Sequence, residues 1–179
     1  MQIFEFENFV EVEDCKAIAH YLKANKKAEK NKEGFFDNIT IPYNKVGNTW
    51  VKRRMSQFRF DATMQAIVSF NKKLYPNYTD LVHWPIGKKM EIHGDSHYLD
   101  GSEGLFPYRL VSGVLYLNDN YEGGETFFPK QECVIKPKTG KLILFPSDLE
   151  YPHGVTEVKS SERFTMPIWF TQNTNNIEF

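Results

Sequence analysis

The chain has 179 residues, 22 Lys+Arg against 23 Asp+Glu for a formal charge of −1, and 41% hydrophobic residues. A chain of this length buries roughly 70% of the surface its unfolded form exposes, so a single core-bearing domain over residues 1–179 is expected and extended disorder is excluded. The balanced charge gives no field to gather nucleic acid or an anionic bilayer, and apolar runs such as 142–145, cut off by Lys141 and Pro146, fall far short of the roughly 18 residues of a membrane span.

The N-terminus is acidic from the start and lacks a basic region followed by an apolar run, which argues against a secretory signal. Two cysteines, Cys15 and Cys133, suit buried thiols in a reducing compartment, so a soluble cytoplasmic protein is expected. Cys15, Ile18, Ala19 and Leu22 recur at helical spacing between the acidic Glu13-Asp14 and the basic Lys26-Lys27, which predicts a helix ending near Ala28. Residues 34–50 have no clean period and read as short strands and a long loop. A second helix is expected to start at Asp61 as N-cap, to present Met64, Ile67 and Val68 on one face, and to stop by Tyr75 because Pro76 follows. From Leu81 the chain turns to short Val-, Ile-, Phe- and Tyr-rich runs separated by Gly, Pro and Asn-Asp signals. The fold class is α+β and mainly β: a helical support region over 1–80, a β-sandwich or barrel over 81–172 with the helices packed on one sheet, and a frayed polar tail over 173–179.

Five histidines occur, of which His20 reads as a surface residue and His83 as a hydrogen-bonded residue at the core edge. His93 and Asp95 sit two apart at a strand end, so both side chains point to one face, and His153 follows another strand and a Pro-containing turn that can return it to the same place. Two histidines and a carboxylate on one face of a metal leave open positions and suit non-haem Fe(II). Taken alone, the His-x-Asp pair reads first as a turn-capping carboxylate beside a satisfied histidine. His97 could replace His153 only in a helix, and Gly94 and Gly101 argue against one.

In the last strand Phe164, Met166, Ile168 and Phe170 alternate with Arg163, Thr165, Pro167 and Trp169, so Arg163 points away from the apolar layer. It is either a solvent-facing edge arginine or, if that face lines a cavity, a bidentate site for a carboxylate. Ser112, Val114 and Tyr116 share a face of another strand, where the Tyr116 phenol could give such a carboxylate a second hydrogen bond.

Several further pieces join these: Gly87 ahead of His93-Gly94-Asp95, Arg109 to Ser112 leading into Tyr116-Leu117-Asn118, Gly123-Gly124-Glu125-Thr126-Phe127, Pro137 with Gly140, Phe145-Pro146, His153-Gly154-Val155, and Arg163 ahead of Trp169. In order and spacing they resemble the catalytic core of the prolyl 4-hydroxylase-like branch of the Fe(II)/2-oxoglutarate-dependent oxygenases. The resemblance implies a double-stranded β-helix, or jelly-roll, and a dioxygenase that hydroxylates a C–H bond with succinate and CO2 as co-products. It makes His93, Asp95 and His153 the ligands of Fe(II), and Arg163, Tyr116, Trp169 and Ser112 the residues around 2-oxoglutarate; O2 is the oxidant and ascorbate an accessory reductant. It also places Arg109 toward the substrate; Trp84, and His97 and Tyr98 of the loop that follows Asp95, are the further candidates for substrate contact. Trp84 and Met90 stand where relatives often carry tyrosine.

A prolyl residue of a peptide or protein is the leading substrate, a free amino acid or other small metabolite the second. A non-catalytic jelly-roll that binds a ligand is the reading from another class. Nucleic-acid demethylation is disfavoured because the second arginine of AlkB-type enzymes is here Trp169, and Lys52-Arg53-Arg54 and Lys72-Lys73 read as solvated faces. Residues 96–108 read either as a lid over the site or as an ordinary surface loop, and 34–50 as an opposite wall or the same.

Overall fold

The computed structural model describes residues 2–25 and 39–178. Helix α1 (Val12–Ala24) buries Cys15, Ile18, Ala19 and Leu22, the stripe expected from their spacing. Its last turn ends at Ala24, and the expected continuation to Ala28 lies outside the described residues.

Helix α2 (Thr49–Phe70) departs from expectation at its start and in its buried face. It begins twelve residues before Asp61, where the Asn48 side chain accepts a hydrogen bond from the Val51 amide at 3.0 Å and so caps the first turn. Val51, Met55, Phe58, Ala62 and Ala66 face the core, joined by Arg59 and Thr63, while Met64 and Val68 point outward and Val68 is 72% exposed. Ile67 packs against the core as expected, but the buried stripe consists partly of small and polar residues, so Met64 and Val68 fall on the outer side. The helix is ended by Asn71, in the left-handed conformation at φ 49°, four residues before Tyr75.

Strands β1 (Phe4–Phe6), β9 (Leu142–Pro146), β5 (Arg109–Tyr116), β12 (Arg163–Thr171), β3 (Tyr75–Trp84) and β2 (Ile39–Pro42) form one sheet in that order. β4 (Met90–His93), β10 (His153–Val155), β7 (Thr126–Phe128) and β8 (Cys133–Ile135) form the second, and β6 (Glu122–Gly123) pairs with β11 (Val158–Ser160). All pairings are antiparallel, which gives the two-sheet jelly-roll that the sequence resemblance implied. The larger sheet draws strands from outside 81–172: β1 and β2 come from segments expected to be helical support or irregular, and β3 begins before Leu81.

The helices cover the larger sheet. Phe164, Met166, Ile168 and Phe170 of β12 join the α1 and α2 residues in one core, so the opposite face of β12 is left to line the space between the sheets, where Tyr116, Phe128, Ile143 and Phe145 pack. The tail is docked rather than frayed: Glu178 forms an ion pair with Arg59 at 3.0 Å, its amide donates to the Pro76 carbonyl at 3.0 Å, and the Asn176 carbonyl accepts from Asn77 Nδ2 at 2.7 Å. No helix among the described residues is long and apolar enough to cross a membrane, and Cys15 and Cys133 are both free thiols.

Gly140 joins the N-terminal segment to the sheet, since its carbonyl accepts from the amides of Phe9 and Val10 and its own amide donates to Tyr116 O. It has φ +80°, and a Cβ there would lie 2.2 Å from the Val10 carbonyl oxygen. Gly140→Ala is therefore expected to destabilise the fold by on the order of 2 kcal/mol, read as a lower denaturant midpoint; an unchanged midpoint would contradict this packing.

Candidate active site

β4 and β10 pair with His93 directly opposite His153, and the two ring centroids are 4.4 Å apart. Asp95, just past the end of β4, places Oδ1 3.8 Å from His93 Nε2 and Oδ2 3.7 Å from His153 Nε2. One ligand atom from each residue lies within 4.8 Å of the others. The far nitrogens are held by backbone carbonyls, His93 Nδ1 by Glu91 O at 3.0 Å and His153 Nδ1 by Tyr151 O at 3.2 Å. A backbone carbonyl can only accept, so each Nδ1 carries a proton, and each Nε2 is turned toward Asp95.

Electrostatics favours the ligating forms. Burial and the neighbouring His93 push the His153 imidazole down to about 4. Burial works against ionisation of Asp95, but the two imidazoles, the Ser112 hydroxyl and Arg109 outweigh it and hold the carboxyl below its ordinary value. Ser112 Oγ donates to Asp95 Oδ2 at 2.5 Å and lies 2.7 Å from Ser147 Oγ. Two imidazole nitrogens and one carboxylate, braced from behind and backed by the rings of Phe128 and Phe145 against His153, fit a divalent iron with open positions.

Arg163 enters the same inter-sheet space and is 1% exposed. Its guanidinium lies 4.5 Å over the Trp84 ring, and Nη2 is 3.5 Å from Thr126 Oγ1, while Nε and Nη1 have no hydrogen-bond partner. A buried cation with unsatisfied donors is costly, and an anionic carboxylate is the group that relieves it. The solvent-edge alternative for Arg163 is thereby removed, and the pocket fits the distal carboxylate of a dicarboxylic keto acid.

The sequence-derived residues divide accordingly. His93, Asp95 and His153 come together, and Arg163 and Tyr116 come together. The Tyr116 hydroxyl donates to Thr126 Oγ1 at 2.8 Å, and its ring lies 5.6 Å from the Arg163 guanidinium. Ser112, expected around the cosubstrate, holds Asp95 instead. Trp84, expected toward the substrate, lies against Arg163 and donates its Nε1–H to Thr165 Oγ1 at 3.1 Å. Trp169, expected beside the cosubstrate, is six strand residues or about 20 Å from Arg163, and packs on Arg109 at 4.1 Å and on Tyr78 at 6.2 Å. Arg109 and His97 line a cleft with Lys72, Pro107 and Asp148, next to the metal loop. Tyr98, next in the chain, is 52% exposed and does not line that cleft.

Sequence reasoning missed Thr126, Ser147 and Tyr121. Thr126 shares the buried face of β7 with Phe128, an alternation visible in the sequence. Ser147 and Tyr121 sit in connections with no periodic signal.

The family model of the 2OG-Fe(II) oxygenase superfamily matches residues 78–171, which hold the triad and Arg163. The chain belongs to that superfamily. Human prolyl 3-hydroxylase 3 is 35% identical to this oxygenase over 92 residues, 45% of this chain and 12% of that protein. Chicken prolyl 3-hydroxylase 2 is 31% identical over 129 residues, 60% of this chain and 19% of that protein. The chain thus spans less than a fifth of the curated relatives it matches. Among solved structures, the collagen prolyl hydroxylase of Paramecium Bursaria Chlorella virus-1 superposes with TM-score 0.71 at 20% identity over 97% of both chains. A Pseudomonas putida prolyl-4-hydroxylase gives 0.69 at 21% identity, over 96% of this chain and 92% of that one. Both carry the jelly-roll seen here.

Proposed function

We propose that this oxygenase hydroxylates a prolyl residue in a peptide or protein, with Fe(II) held by His93, Asp95 and His153 and 2-oxoglutarate anchored through its distal carboxylate at Arg163. The observation that carries the reading is the buried guanidinium with two unpartnered nitrogens sharing one inter-sheet space with the His93, Asp95 and His153 cluster. Together, the bound iron and 2-oxoglutarate supply O2 activation for C–H hydroxylation, with succinate and CO2 released; ascorbate would keep the iron ferrous.

The residues of the chain have separate tasks. His93 and His153 offer Nε2, each oriented by a backbone carbonyl, and Ser112 fixes the rotation of the Asp95 carboxylate. Arg163 and Thr126 fix the cosubstrate's far end, and the aromatic walls Trp84, Phe128 and Phe145 keep bulk water from the inter-sheet space. Arg109, clamped between the Phe106 and Trp169 rings at 3.9 and 4.1 Å and hydrogen-bonded from Nε to Asn77 Oδ1, is held rigid at the cleft beside the metal loop, where it can donate to a substrate carbonyl. His97 and Tyr98 belong to the loop over that cleft, which acts as its lid.

Prolyl specificity is supported by the named relatives, since prolyl hydroxylases stand among both the sequence matches and the fold matches. The test is succinate release with a proline-rich peptide, free proline, other free amino acids and a methylated oligonucleotide. The peptide is expected to raise turnover at least about tenfold over the substrate-free rate, with a hydroxyproline product by mass. Stimulation by a free amino acid alone would move the assignment to a small-molecule hydroxylase.

A further inference from the structure

Tyr121 lies in the connection between β5 and β6, outside every strand, yet its hydroxyl is buried and has no hydrogen-bond partner. Such an orphan donor is costly inside a protein unless a ligand meets it. The residue is brought to its place by Gly124, whose φ is +65° and at which a Cβ would lie 3.0 Å from Arg163 Cδ and 3.1 Å from Tyr121 Cε2. The bare glycine lets the phenol ring and the arginine stem close on one another. Burial pushes the Tyr121 phenol up to about 12, and the Arg163 guanidinium beside it offsets only part of that, so the hydroxyl keeps its proton and remains a donor.

The other polar groups around Arg163 are already engaged. Tyr116 gives its proton to Thr126, and Trp84 gives its N–H to Thr165. The donors left around the Arg163 side chain are its own Nε and Nη1, the Thr126 hydroxyl proton and the hydroxyl of Tyr121, which packs beside it at Gly124. We propose that Tyr121 donates a hydrogen bond to the distal carboxylate of the cosubstrate bound at Arg163, and thereby selects a 2-oxo acid that carries that second carboxylate. This rests on the cosubstrate reading above and adds a specificity-determining residue to it.

Binding to the Mn(II)-loaded, catalytically silent protein tests it by calorimetry with two five-carbon ligands, 2-oxoglutarate and 2-oxopentanoate, which lacks the distal carboxylate. Tyr121→Phe is expected to raise the Kd for 2-oxoglutarate about tenfold or more, the loss of one hydrogen bond to a charged group, and to leave that for 2-oxopentanoate within about twofold. The ratio of the two constants therefore falls by about the same factor. Equal weakening of both ligands, or an unchanged 2-oxoglutarate Kd in a wild type that discriminates between them, overturns the role of Tyr121 alone. A wild type that binds the two acids equally overturns the cosubstrate reading and this inference together.

Discussion

Asp95→Ala is expected to weaken Fe(II) binding at least about 100-fold while the fold persists. The carboxylate is the only anionic member of the three-residue set, and it faces both histidine Nε2 atoms at under 4 Å. Without it, two imidazoles remain, too few donors and no negative charge to offset the metal. The Ser112 hydroxyl, which now donates to Asp95 Oδ2, retains Ser147 Oγ at 2.7 Å, so the site loses its ligand without leaving that hydroxyl alone. Far-ultraviolet circular dichroism should match wild type and equilibrium Fe(II) binding should fall. A variant that binds Fe(II) as wild type does would remove Asp95 from the ligand set.

Arg163→Met separates function from stability. Arg163 is buried at 1% exposure with two guanidinium nitrogens unpartnered, so its burial in the ligand-free protein carries a desolvation cost that stacking on Trp84 offsets only in part. Methionine is of similar length and apolar. The variant is expected to lose 2-oxoglutarate affinity by about 100-fold or more, to keep Fe(II) affinity, and to be more stable without ligand by about 1–4 kcal/mol, seen as a higher denaturant midpoint. Unchanged 2-oxoglutarate affinity would place the carboxylate elsewhere.

Much of the site is legible in the sequence because strand geometry is regular. Alternation along 163–170 assigns Arg163 to the face opposite Phe164, Met166, Ile168 and Phe170, and that division is the observed one. The two-residue step from His93 to Asp95 likewise fixes a shared face. What sequence periodicity cannot carry is distance along a strand and the partner of a hydroxyl. Trp169 lies on the same face as Arg163, yet it belongs to the metal end beside Arg109, and Ser112 braces Asp95 although it shares a face with Tyr116. Helix α2 departs from expectation for a different reason: the C-terminal half of its buried stripe is Ala62, Thr63 and Ala66, which carry little apolar signal, while Met64 and Val68 face outward. The tail looked polar and free because the ion pair of Glu178 with Arg59 joins residues far apart in the chain.

Whether the inter-sheet space holds iron and 2-oxoglutarate together is read from an anaerobic titration of the metal-free protein with Fe(II) and then 2-oxoglutarate, followed through the visible metal-to-ligand charge-transfer band. The band should appear only when both are present, be absent in His153→Ala, and need far more 2-oxoglutarate in Arg163→Met. A folded wild-type protein that gives no band with both additions would contradict the assignment of this space to iron and 2-oxoglutarate.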